Sequence, residues 1–329
     1  MPRFSLVGTS RAPVAAAALF TLSLSHAARA DEGGISFWLP GLYSSFAATP
    51  AEPGWSFATI YYHPSLSAGA DKGFPRGGQV DVGIEGRGDL VAFGPTYTLA
   101  QPVFGGQLSF SVLGIGGRNQ ATVDATFTGP NGNQISGERS EALTAFGDVI
   151  PQATMKWNDG VNNYMAYAAA GIPVGAYDPD RLANLGLGHG AFDMGGGYTY
   201  LDSQTGREAS VVLGFTYNFE NPDTDYQSGI DAHIDWGASQ FLNKQLFVGV
   251  AGYYYQQLTG DSGDGATLGD FKSRVAGIGP QLGYLFPIGE KMQGVVSAKA
   301  YWEFAAQNRP EGWNAWLTFA ISPAAPKTN

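Results

Sequence analysis

The sequence predicts an all-β fold, an antiparallel transmembrane β-barrel of about twelve strands with an N-terminal plug-like segment. Apolar and polar residues alternate with a period of two in one segment after another, as in strands that have one apolar and one polar face. Glycine is abundant, at 47 of 329 residues, and charged residues make up only 14%, against roughly 25% in soluble domains. The chain also begins with the pattern of an export signal and holds no cysteine.

Residues 1–30 have the pattern of a signal peptide. Arg3 and Arg11 precede or border an apolar run at 12–24 that is too short to cross a bilayer as a helix. Ala28, Arg29 and Ala30 then give the small-x-small pattern of a cleavage site. A cytoplasmic N-terminal helix is the alternative. Cleavage after Ala30 would send the mature chain to the envelope, and we expect it in the outer membrane of a Gram-negative-type cell.

Residues 31–53 are predicted to be a plug or hatch. Several prolines exclude a membrane strand, because each proline removes a donor from the ladder. The large apolar side chains of this segment each gain about 1.5–3 kcal/mol on burial, so we predict that it folds into the lumen and packs Phe37 and Trp38 against wall aromatics. Packing outside the barrel base, or against another protein, is the alternative. The predicted plug residues are Phe37, Trp38, Pro40, Tyr43 and Phe46.

The barrel is predicted over residues 54–322, with a C-terminal tail at 323–329. Twelve strands are expected at 54–64, 79–100, 107–128, 135–157, 162–174, 190–201, 208–219, 227–241, 246–258, 273–286, 294–306 and 312–322. Short turns alternate with longer loops, and the even strand number places both termini at the periplasmic end. A soluble sandwich or lipocalin-like barrel is the alternative, because alternation does not say which face is inside. Aromatic clusters such as Tyr253, Tyr254 and Tyr255 favour the membrane barrel, since they suit interfacial girdles.

The polar strand faces supply the predicted wall of the lumen. A lysine facing lipid at the midplane costs about 2–4 kcal/mol, so Lys156 and Lys299 should point inward or lie near a strand end. We expect opposite charges to pair across the lumen, Lys299 with a carboxylate for example. The residues predicted to line the solute pathway are Asp81, Glu85, Arg87, Asp89, Lys156, Asp231, His233, Asp235, Lys299, Tyr301 and Glu303.

Three motifs suggest other chemistry but lack its context. Residues 186–191 fit the Gly-x-Gly-x-x-Ala dinucleotide pattern without a following helix, so no cofactor is expected. Residues 261–265 resemble a calcium loop without the ligand order of an EF-hand, and an exposed acidic loop is the expectation, with surface calcium as the alternative. Asp231, His233 and Asp235 are about 6.6–7 Å apart along one strand face, too far for one metal ion without a second strand. His233 could act as a base in a hydrolase, but no nucleophile elbow accompanies it, so neither a metal nor a catalytic residue is predicted.

Short motifs through nearly the whole mature chain resemble one family. They are Phe-Trp-Leu-Pro-Gly at 37–41, Pro-Gly-Trp at 53–55, Gly-Asp-Leu at 88–90, Pro-Val-Gly-Ala-Tyr at 173–177, Thr-Asp-Tyr at 224–226, Gly-Asp-Ser-Gly at 260–263 and Gly-Pro at 279–280. In their order they resemble the outer-membrane transporters named for the MetA pathway of phenol degradation, which are similar to FadL-type channels. The chain has no Asn-Pro-Ala hatch motif of the FadL type, so that gating mechanism is not carried over.

The resemblance implies a passive channel for small hydrophobic or aromatic compounds and no enzyme. The expected partners are outer-membrane lipid, such a solute and the barrel-assembly machinery, and we expect a monomer. The net charge of −10 argues against nucleic acid, which attracts basic surfaces. A structural or surface-interaction barrel without transport is the alternative, and a sealed lumen would distinguish it.

Overall fold

The computed structural model of the protein describes residues 37–73, 79–129, 131–266 and 272–325. The predicted signal peptide lies outside these residues. Twelve strands are formed: β1 Gly54–Gly73, β2 Gln79–Thr98, β3 Gln107–Thr128, β4 Gln134–Asp159, β5 Asn162–Gly171, β6 Ala191–Asp202, β7 Arg207–Asn218, β8 Asp231–Phe241, β9 Leu246–Gln257, β10 Arg274–Ile288, β11 Met292–Gln307 and β12 Glu311–Pro323. In this part of the chain, no helix is long and apolar enough to cross a membrane.

The strands close into one antiparallel barrel, as predicted. Each strand pairs with its neighbours in sequence, and β1 pairs with β12. Two boundaries differ from the prediction. Residues 65–73 were expected in a loop but extend β1, because they pair with residues 79–87 of β2. Residues 227–230 do not begin β8, because Gln227 forms a bridge with Ser262 instead.

The apolar face of the barrel points outward. Along β7, Val211, Leu213 and Phe215 are more than 40% exposed, whereas Glu208 and Thr216 are buried. This pattern is the reverse of a soluble barrel, whose apolar face fills the interior. Outward apolar and inward polar residues are typical of a barrel in lipid, so the prediction of a membrane barrel is confirmed over the soluble alternative.

The wall has very unequal height. Strands β1 to β4 have 20, 20, 22 and 26 residues, and β5 to β9 have only 10 to 12. A tilted strand needs about 9–11 residues to span a bilayer. The first four strands therefore project beyond the membrane at the long-loop end. Because β5 ends at Gly171, residues 172–190 pack beside the projecting edge of β4, where Asp148 accepts hydrogen bonds from Gly175 N and Leu187 N, both at 2.9 Å.

Candidate functional site: the N-terminal segment in the lumen

Residues 37–53, called the N-terminal segment below, run inside the barrel. Phe37, Trp38 and Ala48 are at most 8% exposed. The segment turns at Gly41, whose φ of +85° is accessible to glycine at little cost. A Cβ at this position would lie 2.8 Å from the Tyr253 ring. Glycine therefore allows both the turn and its close approach to the wall.

Trp38 is the main apolar anchor of the segment. Its ring stacks on the His233 ring with centroids 3.9 Å apart and planes inclined by 13°. Tyr167, Met165 and Val212 belong to the same buried cluster. Phe37 packs elsewhere, against Ala169 and Ala191. Trp38 thus meets aromatic wall residues as expected, whereas the core cluster around Phe37 contains alanines.

Two opposite charges of the wall hold the turn of the segment. Asp235 accepts hydrogen bonds from Gly41 N at 2.8 Å and Tyr43 N at 3.2 Å. Lys299 Nζ donates to the carbonyls of Gly41 at 2.6 Å and Leu42 at 2.8 Å. The carboxylate therefore satisfies the N–H groups and the ammonium satisfies the carbonyls of one short stretch. The expected pairing of Lys299 with a carboxylate is replaced by these contacts, because the segment lies between the two charges.

The rest of the segment is held by polar side chains from several strands. A backbone that belongs to no ladder needs such partners when it is buried. Ser45 Oγ lies 2.6 Å from Ser239 Oγ and accepts from Gln281 Nε2 at 2.7 Å. Three backbone N–H groups of the segment donate to side chains: Phe46 N to Glu208 at 2.8 Å, Ala48 N to Thr199 at 3.0 Å and Ala51 N to Gln107 at 2.9 Å. Two side chains donate to its carbonyls: Lys156 Nζ to Thr49 O at 3.0 Å and Tyr301 OH to Gly41 O at 3.3 Å.

Tyr43 points its hydroxyl at β4. The hydroxyl accepts a hydrogen bond from Gln152 Nε2 at 3.0 Å. Burial, with the nearby charges of Asp193 and Asp235, raises the pKa of Tyr43 well above its usual range. The phenol therefore stays neutral, and the segment brings no charge of its own into this part of the lumen.

The three polar residues predicted on one face of β8 have separate partners. His233 Nε2 lies 3.0 Å from Asp193 Oδ2, which also accepts from Thr216 at 2.6 Å. Asp231 accepts from Asn218 Nδ2 at 2.9 Å, and Asp235 holds the segment. Among the described residues, no group of three histidine, cysteine, aspartate or glutamate side chains could hold a metal ion. His233 Nε2 also lies 3.4 Å from the Tyr167 hydroxyl, and Trp38 of the segment stacks on the same imidazole.

Most of the predicted wall residues share the inward face. Lys156, Asp235, Lys299 and Tyr301 contact the segment. Glu303 accepts from Tyr253 OH at 2.6 Å. Sequence reasoning missed Glu208, Thr199, Ser239, Gln281 and Asp193, although the alternation in β7 already places Glu208 on the polar face. The other four residues could not be singled out, because each is one of many polar residues on the polar faces of the strands.

The predicted placement of Asp81, Glu85, Arg87 and Asp89 in the lumen is wrong. Tyr62 packs inside the barrel against Trp316, with ring centroids 4.2 Å apart, and it pairs with Leu90. Asp89 is therefore on the opposite face, where it accepts a hydrogen bond from the outward Tyr61 at 2.5 Å. The regular register of β2 places the other three residues on this outward face too. They can face outward because the projecting part of β2 meets water rather than lipid.

A closed barrel with an apolar exterior and a polar, occupied lumen defines an outer-membrane β-barrel protein. The family model described as "Putative MetA-pathway of phenol degradation" matches residues 70–319. The chain belongs to this family, and it is a protein of the outer membrane.

Comparison with solved structures found similarity to outer-membrane proteins. The COG4313 outer membrane channel from Pseudomonas putida F1 matches with a TM-score of 0.59 and 13% identity, over 85% of this chain and 98% of that chain. The beta domain of the Bordetella autotransporter BrkA matches with a TM-score of 0.41 and 12% identity, over 82% and 100%. A Pseudomonas aeruginosa FadL homologue matches with a TM-score of 0.34 and 8% identity, over 82% and 88%. A comparison with curated proteins found no match.

Proposed function

We propose that the protein is a gated passive channel for small hydrophobic or aromatic compounds, and that displacement of the N-terminal segment opens it. The observation that supports the proposal is the position of this segment, which lies inside the lumen and is held there by packing and hydrogen bonds to the wall. The family's link to phenol degradation supports the choice of an aromatic solute.

Opening would exchange one set of hydrogen bonds for another. When the segment leaves, Lys299, Asp235 and Glu208 become accessible to water in the lumen. A hydrogen bond to these charged groups contributes about 1.5–3 kcal/mol, and water that enters the lumen replaces it when the segment leaves. The segment can therefore be well ordered in the closed state and still leave reversibly. No covalent step is involved, and selection depends on width, charge and apolar contact.

A reversible disulfide tests whether the segment is a gate. Ser45 Oγ and Ser239 Oγ are 2.6 Å apart, so the thiols of Ser45→Cys and Ser239→Cys can meet at bonding distance. The chain has no other cysteine, which excludes competing pairings. In planar bilayers, the oxidised double variant should conduct at least about ten-fold less than wild type, because tethering removes the open state. Reduction should restore conductance, and each single variant is the matched control.

The outcomes separate the candidate functions. Conductance that changes with oxidation and reduction supports a gated channel. Equal conductance in the oxidised and reduced forms would show that solutes pass without movement of the segment, contradicting the gate. A wild-type protein that neither conducts nor passes an aromatic solute would favour the structural or surface-interaction barrel.

A further inference from the structure

We propose that apolar solutes follow a track on the inner faces of β1 to β3, between the wall and the N-terminal segment. The apolar track is defined by Ile60, Leu66, Ile84, Leu90, Ile115 and Val123. Its ligand is a small uncharged apolar molecule, of the size of a one- or two-ring aromatic hydrocarbon. This inference rests on the proposed channel function and adds the path to it.

The lower part of the track faces the apolar side of the segment. A cavity there is lined by Trp38, Leu39 and Leu42 on one side and by Ile60, Leu90 and Ile115 on the other, among further residues. Its volume is about 50 Å³, against the roughly 150 Å³ of an engineered protein cavity that binds benzene. A solute therefore fits only when the segment moves away from this wall.

The upper part of the track lies on the projecting strands, where the outer face is charged and the inner face of β1 to β3 is apolar. On the projecting strands, Glu85 and Arg87 point outward, with side chains 59% and 66% exposed. The inward neighbours on the first three strands are apolar, namely Leu66 on β1, Ile84 on β2 and Val123 on β3. Arg139 on β4 pairs with Val123 and limits the apolar face on that side. A barrel interior is usually polar, and elsewhere in this lumen polar side chains lie among buried aromatic ones such as Tyr253, Tyr301 and Trp316. An apolar inner wall above the membrane suits a hydrophobic solute entering from water.

The upper and lower parts are continuous along β2. Gly86 and Gly88 lie between Ile84 and Leu90 on the same inward face. A Cβ at Gly86 would meet nothing within 4 Å, so open space borders the wall there. A space of about 500 Å³ beside Ala68 and Ile84 is lined mainly by polar side chains, among them Glu85, Asp124 and Arg309, so it lies outside the apolar track. The track therefore runs from Ile84 past the two glycines to Leu90 and the N-terminal segment.

The other half of the lumen is less suited to an apolar solute, although it includes a cavity of about 410 Å³ whose lining contains Phe46, Phe241 and Phe247. Its inward side chains on β6 to β8 and on β11 include Glu208, Asp235 and Lys299, which bind the segment. An apolar molecule there would separate charged groups from their partners without replacing their hydrogen bonds. The segment thus has a polar side bound to one part of the wall and an apolar side toward β1 to β3.

Paired substitutions on adjacent residues test the track. Val123→Asp places a charge on the inner face, whereas Thr122→Asp places the same charge on the outer face of the same strand. Gly86→Phe blocks the track without a charge, so the test does not depend on one variant folding. The probe is N-phenyl-1-naphthylamine, and its uptake is followed in intact Gram-negative cells producing the full chain. Val123→Asp and Gly86→Phe should each slow uptake about ten-fold, since a desolvated charge or a filled path excludes the probe, while Thr122→Asp should match wild type.

A second readout keeps this inference separate from the channel function. All variants must show the heat-modifiable mobility of a folded barrel, and the oxidation-sensitive conductance is measured with the Ser45→Cys and Ser239→Cys changes added. Wild-type dye uptake in Val123→Asp and Gly86→Phe, with conductance still sensitive to oxidation, would overturn the track and leave the channel intact. Dye uptake no faster than in cells lacking the protein, with conductance insensitive to oxidation, would overturn both.

Discussion

At the scale of single residues, the N-terminal segment is held in place by charged wall groups that bind its backbone rather than each other. Lys299 and Asp235 approach the same turn of the N-terminal segment from two strands. A hydrogen bond to a charged group contributes about 1.5–3 kcal/mol, more than most other contacts of the segment. These two side chains should therefore set the fraction of time that the segment is seated.

Replacing Lys299 by Met should open the channel more often. The substitution keeps the length of the side chain and removes two hydrogen bonds to the carbonyls of Gly41 and Leu42. We expect the open fraction in single-channel recordings to rise at least about ten-fold, which corresponds to 1.4 kcal/mol. Lys291→Met removes an exposed lysine from a short turn and is the control. An unchanged open fraction in Lys299→Met would show that the lysine does not hold the segment.

Gly41→Ala should loosen the same turn for a different reason. The backbone at Gly41 has φ +85°, which costs about 1–3 kcal/mol for a residue with a Cβ, and the new carbon would press on Tyr253. A cysteine introduced by Ser44→Cys should then react faster with a maleimide. Gly105→Ala is the matched control, since Gly105 has φ +72° but no atom within 4 Å of an added Cβ. Equal labelling rates in the two variants would contradict a tight fit at Gly41.

At the scale of strands, the sequence contains the apolar–polar alternation but does not show which face of each strand points into the lumen. All twelve strands could be predicted, because period-two patterns and glycine-rich turns are local. The placement of Asp89 failed because a charged row was assumed to face the lumen along the whole strand. Once β1 and β2 leave the bilayer, water lies on the outer face, and the usual order of polarity reverses. The contacts between the segment and the wall could not be predicted from local sequence patterns either, since Gly41 and Asp235 are 194 residues apart.

The loss of stability caused by a charge on the outer face should show which part of each strand lies in the membrane. Leu213→Lys on β7 introduces a lysine on the apolar exterior and should lower the free energy of unfolding in lipid vesicles by about 2–4 kcal/mol. Gln120→Lys on β3 is also outward but lies on the projecting part, so its change should stay within about 0.5 kcal/mol. Urea unfolding of both variants measures the difference. Similar large losses would mean that the upper part of β3 is immersed in lipid.

At the scale of the whole molecule, the strand pairing of the barrel does not involve the N-terminal segment. The wall closes through strand pairing from β1 to β12, and no ladder includes residues 37–53. The inner surface is divided between a part rich in polar side chains, which binds the N-terminal segment, and an apolar part on β1 to β3 that borders the proposed track. The contacts that hold the N-terminal segment and the proposed path of the solute therefore lie largely on different strands.

Deleting residues 32–51 should produce an open barrel that still folds. The strand ladder is unaffected, and the polar wall groups that lose the segment gain water, so heat-modifiable mobility on gels should persist. Conductance should rise sharply above wild type, because the lumen loses the material that fills it. Substituting Lys299 by Met in the deleted barrel should then leave the open fraction unchanged, since the lysine no longer has a segment to hold. A folded deletion variant with wild-type conductance would show that the segment does not close the pore.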